Sequence, residues 1–188
     1  MVSVEAAVFI EMGSAIGMVE VPTAYMLSGN AEKDFPSFAL HVRMASYARD
    51  FTRAKKIAGG YTNAWCSQDA DKVAVFFAPN GSLTINGGPP SIGRAAIAAA
   101  AQSFMLAFPD LRVRMNRLVQ AGNRVEYHWT LTGTNTGPGG TGRAVEIDGF
   151  ESWRMGADGL VEESLGSFDA DDYERQISGG SQVEPEGE

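Results

Sequence analysis

Residues 143–169 read RAVEIDGFESWRMGADGLVEESLGSFD, and this stretch decides the fold. Two alternating runs flank Gly156-Ala157-Asp158-Gly159, the pattern of two antiparallel strands joined by a turn. Side chains along a strand point alternately to its two faces. The odd positions are Val145, Ile147, Gly149, Glu151, Trp153 and Met155. One carboxylate therefore shares a face with core residues. Two readings of Glu151 stand. Either it reaches water or an arginine at a bulge or sheet edge, or it lines a pocket. In a pocket, lost hydration raises its pKa and makes it an acid or hydrogen-bond donor.

Upstream, residues 111–120 alternate Leu111, Val113 and Met115. A turn at Ala121-Gly122-Asn123 leads to residues 124–134. There Val125, Tyr127, Trp129 and Leu131 take one face, and Glu126, His128, Thr130 and Thr132 take the other. Earlier still, Phe51, Ala54, Ala58, Tyr61 and Trp65 recur at spacings of three and four, the stripe of an amphipathic helix. Gly59-Gly60 weakens that helix by roughly 1 kcal/mol per residue unless something packs closely there. Asp69 is placed to cap a second helix over 70–77. A turn at 79–81 and a short strand at 82–86 follow. Ser91 is placed to cap a third helix with the stripe Ile97, Ala101, Phe104 and Phe108. Residues 170–177 suit a last helical turn or two. The order α-α-β-α-β-β-β-β predicts an α+β fold. Its curved antiparallel sheet, a half-open barrel covered by three helices, leaves a cavity between the layers.

The 188 residues suit one domain over 46–177, with an extension at 1–45 and a disordered acidic tail at 178–188. There are 23 acidic and 15 basic residues, and no basic stripe with interleaved aromatics, so nucleic acid is not an expected partner. The single Cys66 excludes an internal disulfide. Glu5, Glu11 and Glu20 interrupt the N-terminal apolar patches, and no run approaches the ~18 apolar residues of a membrane span. A cytoplasmic location is expected. His41 and His128 are the only histidines, so no metal cluster is expected. The glycine-rich residues 137–142 have no lysine and no following helix, unlike a phosphate loop.

Several short pieces occur in a recognisable order. They are Tyr61, Trp65 and Asp69; Phe77-Ala78-Pro79; Phe108-Pro109-Asp110-Leu111; Gly133-Thr134-Asn135-Thr136-Gly137; and Asp158-Gly159-Leu160-Val161-Glu162 with Phe168-Asp169. Together they resemble the SnoaL-like polyketide cyclases of the nuclear transport factor 2-like superfamily, over about residues 48–177. The resemblance implies a cofactor-independent fold with a pocket for a small hydrophobic molecule. It also implies a homodimer through the outer sheet face, the side that carries His128. In such cyclases the aspartate after the last strand moves the substrate proton in an aldol closure, and Asp169 matches it. Their usual histidine is here Asn135, an amide that holds a carbonyl oxygen but shuttles no proton near neutrality. The related ketosteroid isomerases place a catalytic tyrosine at Tyr61 and a protonated acid at Glu151. Together these would make an oxyanion hole. Their base would lie near Ile85 and Asn86, but no Asp or Glu occurs between Asp71 and Asp110.

The candidate catalytic residues are therefore Asp169, Tyr61, Glu151 and Asn135. Trp65, Phe104, Trp129 and Trp153 are the candidate ligand contacts. Each has a plainer reading: Tyr61 and the tryptophans as core, Asp169 as a helix cap, Asn135 as a loop anchor. Two functions follow. One is acid–base catalysis on a hydrophobic carbonyl compound, of the aldol cyclase or isomerase type. The other is a non-catalytic module that binds a ligand or dimerises. Epoxide hydrolysis would need an Asp-Arg-Asp cluster, and Arg154 falls on the face away from Glu151.

Overall fold

Six strands form one sheet in the order β2-β1-β6-β5-β4-β3. The computed structural model describes residues 31–179, so 1–30 and 180–188, which hold most of the expected extension and the tail, lie outside the described residues. In chain order the elements are α1 (Ala31–Cys66), α2 (Ala70–Ala74), β1 (Phe77–Ile85), β2 (Ser91–Ile92) and α3 (Gly93–Ala107). Then come β3 (Arg112–Ala121), β4 (Arg124–Thr134), β5 (Ala144–Met155), β6 (Val161–Phe168) and α4 (Ala170–Ser178). The chain divides into two units, Met1–Ser46 and Tyr47–Glu188, and the site described below lies within the second. No helix among the described residues is long and apolar enough to cross a membrane.

The fold is α+β, as the alternation and the helical stripe predict, with a sheet not closed into a barrel. Four of its pairings are antiparallel, and the fifth, β1 with β6, is parallel. The expectation of a wholly antiparallel sheet is corrected there. A hairpin meander does not by itself say where an earlier strand docks. Here β1 adds beside the last strand, through Leu83↔Ser164 and Thr84↔Leu165. The helical turns expected at 170–177 form a fourth helix, α4, beside the three expected to cover the sheet.

Three local boundaries also differ from the expectations. The second helix stops at Ala74, because Phe77 opens β1 opposite Val161 and is fully buried there. Pro79-Asn80-Gly81 is an irregularity inside β1 and does not end it. Ser91 pairs with Leu83 in β2, so α3 begins at Gly93 without a side-chain cap. Asp69 does cap α2, accepting from Lys72 N at 3.2 Å.

Helix α1 buries Ala54, Ala58, Tyr61, Ala64 and Trp65 along one face. The ring of Phe76 packs against Gly60, so close that a Cβ there would meet it at 2.9 Å. Tyr61 stands edge-on to Trp65, Phe76, Phe77, Tyr127 and Trp153, the last at 5.3 Å. Such pairs add about 0.5–1.5 kcal/mol each beyond burial. Register shifts in β3 between Met115 and Arg117, and in the β5–β6 pair between Arg154 and Met155, curve the sheet around this core.

Candidate functional site

Strand β5 alternates as its sequence predicts. Val145, Ile147, Glu151, Trp153 and Met155 are buried, and Glu146, Asp148 and Arg154 are exposed. Glu151 therefore enters the core layer, where three neutral groups donate to its carboxyl. Tyr61 Oη lies 3.0 Å from both oxygens, Trp153 Nε1 lies 2.9 Å from Oε2, and Ser164 Oγ lies 2.6 Å from Oε2. Each of the four residues is at most 6% exposed. Burial pushes the Glu151 carboxyl above its usual range, and the three hydrogen bonds pull against that shift without cancelling it. Burial, with the nearby Glu151 charge, also holds Tyr61 well above the ordinary phenol range.

Glu151 lines an open pocket that encloses about 60 Å³. Trp65, Phe104, Tyr127, Trp129 and Phe168 supply aromatic walls. Leu83, Ile85, Val113 and Leu131 supply aliphatic ones, and Gly166 and Ser167 complete the lining. Among the described residues, Glu151 is its one carboxyl, and no lysine, arginine or histidine joins it. Apolar and aromatic walls with few polar groups are the lining chemistry of a small-molecule site.

Two glycines shape the pocket. Gly149 pairs with Trp129, and the indole lies across it so closely that a Cβ would come within 2.5 and 2.6 Å of the ring. Gly166 sits beside Glu151, where a Cβ would stand 3.8 Å from the Glu151 Cγ. Tyr127 stacks on Trp153 at 4.8 Å and 10°, and its hydroxyl lies 2.7 Å from Thr62 Oγ1. Among the described residues, Trp129 Nε1 is buried with no hydrogen-bond partner.

The structure brings together Tyr61, Glu151, Trp65, Phe104 and Trp129 of the expected set. It places three others elsewhere. Trp153 lies behind the pocket, fully buried, and is not among the lining residues. Asp169 is exposed and caps α4, accepting from Asp172 N at 2.9 Å. Strand alternation explains this: Phe168 faces the pocket, so the next residue faces away. Asn135 anchors the loop after β4, with Oδ1 accepting from Thr141 N at 2.9 Å and Nδ2 donating to Ala107 O at 3.3 Å. Sequence reasoning missed Ser164, Gly166 and Phe168. Their own alternation was a signal, but the shift between Arg154 and Met155 breaks the register that would tie it to Glu151.

A family model for the SnoaL-like domain matches residues 58–164, more than half of the chain. The chain belongs to the SnoaL-like domain family. Solved structures share the fold. A phenazine biosynthesis-related protein of Pseudomonas aeruginosa aligns with TM-score 0.62 at 18% identity, covering 77% of this chain and 98% of its own. A protein of Jannaschia sp., named a SnoaL-like polyketide cyclase, aligns at 0.56 and 21%, covering 72% and 94%. A protein of ketosteroid isomerase-like fold from Catenulispora acidiphila, in complex with trimethylamine, aligns at 0.58 and 15%, covering 65% and 92%. At these identities the likeness speaks for the fold alone. No curated protein matches the chain.

Proposed function

We propose that this chain binds a small hydrophobic carbonyl compound in the pocket, and that Glu151 moves a proton on it without a cofactor. The reaction is of the aldol-cyclase or isomerase type. One observation carries the reading: a buried carboxyl of raised pKa is, among the described residues, the only acid lining a largely apolar cavity. As a carboxylate, Glu151 takes the proton alpha to the carbonyl; the C–H electrons pass into the enolate, and an O–H bond forms on Glu151. As an acid, it returns that proton to carbon. Tyr61, Trp153 and Ser164 hold the carboxyl in place through hydrogen bonds that suit the charged form. Trp65, Phe104 and Trp129 pack on the ligand. Asp169 and Asn135 have no part in this proposal, since both are bound outside the lining. A homodimer through the outer sheet face belongs to the proposal and is checked by light scattering.

The test is deuterium uptake at the alpha carbons of aromatic and steroid-like ketones in deuterated water. General acid–base help is worth about 10²–10⁴-fold, so Glu151→Gln loses that much exchange rate. A second reading, binding without turnover, has support from one feature. With Asp169 capping a helix, no second carboxyl among the described residues lines the pocket. Ketone binding with no exchange above background selects this reading.

A further inference from the structure

Five of the twelve lining residues are aromatic, and their planes are inclined to one another. Trp65 and Phe104 meet at 81°, and Trp129 and Phe168 at 57°. Two parallel faces hold a flat ring system; inclined faces enclose a compact body. Aromatic faces also attract cations, more strongly where water is excluded. The donors to Glu151 are a phenol, an indole and an alcohol, all neutral. Among the described residues an ionised Glu151 thus has no cation in contact, and a buried carboxylate without one is costly. A ligand that brings its own positive charge removes that cost. The net charge of −8 favours the approach of cations over anions.

We propose that the pocket takes a small organic ammonium ion with a compact apolar body, a tertiary or quaternary amine, seated against ionised Glu151. This rests on the pocket being the ligand site and goes beyond the carbonyl reading: a ketone gives the Glu151 carboxylate a proton, an ammonium ion pairs with its charge. A neutral tertiary amine reaches the same ion pair by taking the Glu151 proton, so one O–H bond breaks and one N–H bond forms. The titratable groups near Glu151 are Tyr61 on α1 and Tyr127 on β4, and burial keeps both neutral phenols. Among the described residues, Glu151 alone changes charge there.

Isothermal titration of the full chain with choline and with its uncharged carbon isostere, dimethylbutanol, tests this. Choline binds about tenfold more tightly than the isostere, the size of a desolvated cation–π and ion-pair advantage. The ratio grows as pH rises and Glu151 ionises, and falls to near one in Glu151→Gln. The pH series on the unmodified chain carries the test if that variant does not fold. Equal binding at every pH overturns the ammonium proposal and keeps the pocket as a ligand site. Binding of neither probe overturns the ammonium proposal, and the ketone titration decides separately whether the pocket is a ligand site.

Discussion

Glu151 on β5 and Glu163 on β6 are the same side chain on paired strands, and they have opposite electrostatic fates. Glu163 faces the outer side, accepts from Arg124 Nη1 at 2.6 Å, and is held below the usual carboxylate range by that bond and charge. Glu151 faces the inner side, meets only neutral donors, and is pushed up by burial. The residue type fixes neither outcome. A guanidinium stabilises the anion directly; neutral donors do so only in part, and lost hydration outweighs them.

Removing each side chain gives the largest contrast. Glu151→Ala strands three buried donors and opens a void, so urea denaturation should show a loss of about 3–5 kcal/mol. Glu163→Ala breaks a part-exposed ion pair and should cost below about 1 kcal/mol. Equal losses would dissolve the distinction between the two faces.

A smaller effect comes from the pocket wall. Gly149→Ala drives a methyl into the Trp129 ring and should cost about 1–3 kcal/mol, the range of overpacking. The displaced indole should shift tryptophan fluorescence and weaken ketone binding. An unchanged spectrum would mean that Trp129 does not depend on the bare backbone beneath it.

The pH dependence of stability separates the two glutamates by sign. Folding raises the pKa of Glu151, so the native state holds its proton more tightly than the unfolded chain. Its contribution is full below the ordinary value of 4.5 and is lost as pH rises through the folded value, at up to about 1.4 kcal/mol per pH unit. Folding lowers the pKa of Glu163, so its contribution is present above 4.5 and fades on acidification. Glu151→Gln should flatten the loss above pH 4.5, and Glu163→Gln the loss below it, in urea melts across pH. Matching slopes in the two variants would contradict this assignment.

The smallest effect concerns Asp169. Asn caps a helix about as well as Asp, so Asp169→Asn should change stability by only a few tenths of a kcal/mol. Ketone exchange in that variant should stay at the wild-type rate. A steep loss there would return the base to Asp169.

Much of the inner face was legible. Periodicity of two put Glu151 among Ile147, Trp153 and Met155, and periodicity of 3.6 put Tyr61 and Trp65 on one helical stripe. Asp169 was harder to read. Its place after a strand suits a base and a cap alike, and the choice turns on which way Phe168 points. Trp153 shows a further limit: its parity gives the face but not the depth. Tyr127 stacks over it and leaves its indole N–H to hold Glu151.

The sequence by itself determined which side of each strand and helix is apolar, because side-chain direction follows from local backbone repeat. Only the tertiary structure decided that Tyr61 and Glu151, 90 residues apart, meet at one hydrogen bond, and that Ser164 joins them. Such meetings depend on how α1 packs on the sheet, on the parallel docking of β1 against β6, and on the shift that resets β6. They are sums over many weak contacts distant in the chain, and no local pattern records them.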